Sequence, residues 1–144
     1  MTTMIFPMAA MVFYIWAIAV CMFLVRKKSV KNNRALAHYY KTFDTSLGTP
    51  DEFVLRMAQH YNNQLELPIL FLITGLVCLF YGLNSRLVIS LGWGFLFSRA
   101  LHTYFHLGSN HILKRAAAFA LGWFIIISLW GIIVAQAAGF DRRP

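Results

Sequence analysis

Four apolar stretches set the pattern of the chain, at residues 4–26, 51–83, 87–108 and 111–138. Each can supply the roughly 20 helical residues that cross a hydrocarbon core. None alternates polar and apolar positions as a half-buried strand does, and four segments are too few for a barrel. Backbone groups in lipid must be satisfied within the segment, which leaves the helix. The pattern therefore predicts an all-α fold, an integral membrane four-helix bundle that is one domain over residues 1–144. The first stretch is uncharged up to Val25. It lacks a basic start and is too long for the apolar part of a signal peptide, so it is expected to stay as a span. The second stretch is apolar only from Leu65, yet Thr49-Pro50-Asp51-Glu52 has the Pro and acidic residues of a helix start. A helix from about Asp51 places Arg56, Gln59, His60, Asn62 and Asn63 on turns that project from the membrane or line a polar cavity. Tight turns are expected at Asn84-Ser85 and at Gly108-Ser109-Asn110, whereas the first connection is long.

Composition agrees with a lipid solvent. Apolar residues make up 59% and charged residues 12% of the chain, against about half and roughly a quarter in soluble domains. Mean hydropathy is +0.61. Those proportions exclude a disordered chain. The net charge of +8 would suggest nucleic acid in a soluble protein, but here Arg26, Lys27, Lys28, Lys31, Arg34 and Lys41 all fall in the first connection. They read as topology determinants and headgroup contacts, and no nucleic-acid partner is expected. Excess positive charge places that connection in the cytoplasm. Four spans then put Lys114 and Arg115 on the same side and both termini away from the cytoplasm, where Arg86, Arg142 and Arg143 form a smaller basic load. Cys21 and Cys78 differ in depth by roughly 20 Å and read as two separate small hydrophobes.

Polar groups inside spans are costly and face a cavity or a partner. On the second helix, Arg56, Gln59, Asn63 and Glu66 are spaced three, four and three apart and share a face. On the third, Arg99, His102, His106 and Asn110 do the same. Arg26 closes the first helix and Arg115 opens the fourth. Glu66, His102, His106 and Arg115 all fall at one level near the cytoplasmic boundary, with Arg99 deepest, about 13 Å above Gly108 by helical rise. Glu66 is the one acid in the hydrophobic part of the chain, so a Glu66–Arg99 pair is expected. Any one of these residues could serve packing alone; their shared depth favours a ligand site. A metal held by His102, His106 and Glu66 is disfavoured, because Arg99 and Arg115 would repel a cation.

These residues resemble the MAPEG family, the membrane-associated proteins of eicosanoid and glutathione metabolism. The second-helix signature of Asn, a Glu three residues later and a nearby Pro stands here as Asn63-Gln64-Leu65-Glu66-Leu67-Pro68. The spaced third- and fourth-helix positions are Arg99, His102, His106 and Arg115. Arg99-Ala100-Leu101-His102-Thr103 is similar to the prostaglandin E synthase branch, and Glu-Leu-Pro-Ile-Leu-Phe to bacterial members, which implies a bacterial inner membrane. The resemblance covers nearly the whole chain. It implies a homotrimer with sites between subunits that bind glutathione, and a glutathione-dependent transferase or peroxidase acting on lipophilic small-molecule electrophiles. In that scheme Arg115 stabilises the thiolate, Asn63 and Glu66 take the amine and amide groups, and Arg26 takes a carboxylate. His102 and His106 bond the peptide backbone, and Gln59 and Arg99 complete the binding set. The chain departs from the family at Gln59, where its glutathione enzymes place an Arg. It departs again at His106 and Phe119, which replace tyrosines, and at Pro68, which follows Glu66 by two residues rather than four. The alternative the family offers is a non-catalytic lipid-binding or scaffold trimer.

Overall fold

The computed structural model describes residues 3–139 and is helical throughout its ordered elements. The helices are α1 (Ile5–Asn32), α2 (Leu36–Thr42), α3 (Glu52–Gln64), α4 (Leu67–Phe80), α5 (Arg86–Leu107) and α6 (Ile112–Ala137). Arg142 and Arg143, expected to load the far side, lie outside the described residues. At 28 residues, α1 is about 42 Å long, which exceeds the roughly 30 Å of a hydrocarbon core. Its surplus is the basic end. The connection that follows is not a plain loop: α2 occupies it and ends at Phe43 in the left-handed region, φ 58°. Asp44 then accepts from the Ser46 hydroxyl at 2.6 Å, from the Ser46 backbone N–H at 2.9 Å, and bonds His38 Nε2 at 3.3 Å. Those bonds, the Ser46 hydroxyl foremost, hold the Asp44 carboxyl below the usual carboxylate range.

The expected second helix over 51–83 begins where the sequence placed it, with Asp51 as its cap, but it is not continuous. The break falls at Leu65 and Glu66, where the backbone of Glu66 leaves the helix at φ −100°, ψ −89°. Pro68 causes it. A proline lacks its own N–H and its ring collides with the carbonyl four residues back, which here is Gln64. The halves remain roughly one element: Glu52–Phe80 is one of three helices long and apolar enough to cross a membrane, with Ile5–Asn32 and Ile112–Ala137. By length and composition, then, three of the four expected spans qualify among the described residues. α5 has 22 residues, or about 33 Å, so it is not too short; Arg99, His102 and His106 dilute its apolar character. Those residues are buried against α1, α3 and α6.

The helix contacts run α5 on α6, α1 on α3 and α5, and α4 on α6. The apolar core lies between them, with Phe71 and Phe95 stacked at 4.2 Å and Met4, Met8, Met11, Leu67, Val88, Ile125 and Leu129 around them. The indole of Trp130 donates to Thr74 Oγ1 at 3.1 Å. Cys78 is buried there and Cys21 is exposed; both are free, in line with their different depths. Large apolar side chains cover the outside, among them Phe13, Trp16, Phe23, Phe124 and Ile127, an exterior that suits lipid rather than water.

Close approach depends on two glycines. A Cβ at Gly92 of α5 would lie 2.8 Å from Pro7 Cγ and 2.9 Å from Met4 Sδ, and one at Gly75 would lie 2.5 Å from Met8 Sδ. The methionine can swing aside, but the Pro7 ring is fixed to the α1 backbone. Gly92→Ala should therefore destabilise the detergent-solubilised protein by about 1–3 kcal/mol. Gly131→Ala, where nothing lies within 4 Å, should leave the thermal midpoint unchanged or raise it slightly. Thermal unfolding of the two variants side by side tests the contact.

Candidate functional site

The polar groups of α5 meet partners from three other helices. Arg99 is wholly buried, and none of its three guanidinium nitrogens hydrogen-bonds to the chain. Its charge faces the ring of Phe119 on α6, 5.6 Å from the centroid, a contact that favours a cation. The carbonyl of Arg99 is better served: the Tyr14 hydroxyl of α1 donates to it at 3.3 Å and Thr103 Oγ1 donates at 3.0 Å. The Tyr14 and Thr103 hydroxyls also bond each other. Thr103 Oγ1 lies 2.9 Å from His60 Nε2 of α3, which in turn sits 3.0 Å from the Gln64 amide. A chain of polar contacts thus crosses from α1 through α5 to α3.

Three imidazoles close the arrangement. His60, His102 and His106 have ring centroids 5.2 to 5.8 Å apart and lie face to face or tilted. Stacked rings do not aim their nitrogens at a common point, and among the described residues no His, Cys, Asp or Glu group has the arrangement to hold a metal. His102 Nδ1 lies 3.2 Å from the Arg115 carbonyl. A carbonyl can only accept, so Nδ1 carries the proton and Nε2, buried and without a partner in the chain, is left as an acceptor. Arg115 stands in the first turn of α6 and is half-buried. Its guanidinium donates to Asn110 Oδ1 at 3.2 Å, and Asn110 has the left-handed conformation that closes the α5–α6 turn, φ 48°. The turn therefore positions the arginine. Phe119, read in the sequence as a lost tyrosine, also lies 5.9 Å from the His102 ring, so its face serves both Arg99 and His102.

The structure brings Arg99, His102, His106 and Arg115 together, with Arg56 at the edge of the cluster near His106, but not Gln59, Asn63 and Glu66. α3 turns Val54, Met57, His60 and Gln64 inward. The expected face therefore points out: Gln59 and Glu66 are exposed, and Arg56 and Asn63 half-buried. The expected Glu66–Arg99 pair does not form within the chain, because Glu66 lies at the exposed break while Arg99 is sealed inside. Arg56 instead pairs with Glu52 at 3.6 Å, one turn back. Arg26 lies over the ring of Tyr40 at 5.4 Å.

Three residues of the cluster, Tyr14, Gln64 and Thr103, were given no role by the sequence reading, and a fourth, His60, was placed only on turns that project from the membrane or line a polar cavity. A signal for each existed. Tyr14 falls on the stripe of Met11 and Ile18, His60 and Gln64 on that of Val54 and Met57, and Thr103 is one turn beyond Arg99. A polar residue on an otherwise apolar stripe faces the core and needs a partner there.

Fold and site define an α-helical integral membrane protein with a buried, cation-rich polar cluster among its helices. The chain belongs to the MAPEG family, whose sequence model matches residues 4–135. No curated protein matches it.

The cluster makes a coupled prediction. Tyr14→Phe removes one donor and should cost about 0.5–1.5 kcal/mol, whereas Thr103→Val strands several partners and should cost about 1–3 kcal/mol. Because they share one network, the double variant should depart from additivity by at least about 0.5 kcal/mol. Denaturation of the four proteins of the cycle in one detergent measures it.

Proposed function

We propose that the protein is a glutathione-dependent membrane transferase or peroxidase acting on lipophilic electrophiles at the cytoplasmic leaflet. The observation that carries this reading is a buried cluster rich in nitrogen donors and cations and poor in acids. Arg99 contributes three unpartnered nitrogens, and His60 Nδ1 and His106 Nδ1 are likewise without partners in the chain, while His102 Nε2 is left as an acceptor. Such a set suits an anionic ligand. Glutathione carries two carboxylates and an ionisable thiol that such a set suits, while its ammonium is read as meeting Glu66 on the outward face.

Arg115 is the residue proposed to hold the thiolate. A thiol of ordinary acidity, near pKa 8.5, is mostly protonated at neutral pH, and a guanidinium beside it favours the anion. The N-terminal end of α6 acts in the same sense. Bound in this way, the tripeptide supplies a nucleophilic sulfur, and an electrophile dissolved in the bilayer can reach it laterally. His102 and His106 bond the peptide backbone, and Arg99 supplies buried positive charge. Asn63 and Glu66, with Gln59 on the same outward face, are read as facing a neighbouring subunit of a homotrimer. Support comes from the cost of leaving a polar stripe against lipid: a second chain offers partners where acyl chains offer none. In this reading α5 is a fourth span, its polar face turned inward, and both termini lie away from the cytoplasm of a bacterial inner membrane.

A second reading rests on Gln59. It is exposed and neutral where the family's glutathione enzymes place an arginine, which favours a non-catalytic lipid-binding or scaffold trimer of the same fold.

Glutathione at millimolar concentration should stabilise the purified protein against heat, and the bound thiol should show thiolate absorbance at neutral pH. Arg115→Ala should move the midpoint of that titration up by about one pH unit or more, so that the thiolate persists only at higher pH. Absence of any stabilisation by glutathione decides for the scaffold.

A further inference from the structure

A second concave feature lies apart from the polar cluster. Beside the basic end of α1 runs an open groove of about 490 Å³, lined by Phe23, Arg26, Lys27, Val30 and Tyr40. The four α1 residues are spaced three, one and three apart and share a face, while Tyr40 on α2 forms the other side. The walls are largely apolar and Phe23 is exposed. The cations sit in the middle of that apolar lining. The Arg26 guanidinium rests 5.4 Å from the Tyr40 centroid, and its Nε is buried without a hydrogen-bond partner. An aromatic face, rather than an acid, holds it. The ion pairs among the described residues involve neither Arg26 nor Lys27, and residues 26–43 contain no Asp or Glu.

Depth fits these features to one kind of ligand. About 20 helical residues cross the hydrocarbon core, and counting from Ile5 that length ends at Leu24. Phe23 then lies at the inner edge of the acyl region and Arg26 and Lys27 at headgroup level, where basic side chains meet lipid phosphates. We propose that this groove binds an anionic phospholipid, with the top of an acyl chain against Phe23, the phosphate against Arg26 and Lys27, and the rest of the head between Val30 and Tyr40. Charge complementarity selects the anionic head, and the apolar wall selects the tail. Neither inorganic phosphate nor the carboxylate of a small peptide fills both. Arg26 is the residue that the family resemblance gives to a glutathione carboxylate, and the lipid contact proposed for it is read with glutathione absent. The site does not depend on thiol chemistry and stands whether or not that chemistry operates.

The test uses the full chain in a neutral detergent, without glutathione. Phosphatidylglycerol should raise the Tm by at least about 3 °C and should survive as one bound lipid per chain in native mass spectrometry. Phosphatidylcholine of the same acyl chains and inorganic phosphate should do neither. The preference should be lost in Lys27→Gln/Tyr40→Ala and kept in Lys114→Gln, whose lysine lies at the other basic end. Should the double variant fail to fold, Lys27→Gln alone, at an exposed position, should lower phosphatidylglycerol retention at least twofold. An equal effect of phosphatidylcholine or phosphate overturns the proposal. So does a preference that ignores the groove variants, or one lost equally in Lys114→Gln, which would mark diffuse surface charge rather than a site.

Discussion

The constraint that organises this molecule is a guanidinium buried among helices that lipid surrounds. Removing a charge from water costs several kcal/mol unless something compensates, and Arg99 is wholly buried. The chain compensates by arrangement. It sets the face of Phe119 beside the charge and surrounds the arginine with hydroxyls and imidazoles from α1, α3 and α5. Much else follows from meeting that demand. α5 must have neighbours on its polar face, α3 must turn His60 and Gln64 inward, and α1 must bring Tyr14 to the same level. α5, whose polar residues keep it from qualifying as a span by composition, holds that costly side against α1, α3 and α6.

The kink at Glu66 extends that logic. Were α3 and α4 one straight helix, the carbonyl of Gln64 would meet the ring of Pro68. The break instead frees two turns of polar helix from the register of the apolar run. His60 and Gln64 can then serve the interior while Asn63 and Glu66 look outward. One short segment carries both a buried network and an exposed polar face.

The two ends of the cytoplasmic level, as we read it, hold different chemistry. Around Arg99 and Arg115 the cations are positioned by backbone turns and hydrogen bonds: Asn110 fixes Arg115, and the Arg115 carbonyl fixes His102. Around Arg26 and Lys27 the setting is a shallow apolar groove. Family membership speaks to the first. The second rests on the geometry of the α1–α2 corner alone.

Periodicity and charge by themselves determined the helical class, the start of α3 at Asp51, the α5–α6 turn and the convergence of Arg99, His102, His106 and Arg115. Each is local, fixed by helical spacing or by a residue's own backbone preference. The turn expected at Asn84-Ser85 falls instead at Tyr81-Gly82, and Ser85 caps α5. The family too was legible, since its motif is a matter of spacing. Which face of α3 turns inward was not, because Arg56-Gln59-Asn63-Glu66 and Val54-Met57-His60-Gln64 are both consistent stripes on one helix. Only the neighbours α1 and α5 choose between them. The Glu66–Arg99 pair failed for the same reason: opposite charge selects a partner only when the fold brings the two within reach, and here the Pro68 kink and the rotation of α3 hold them apart.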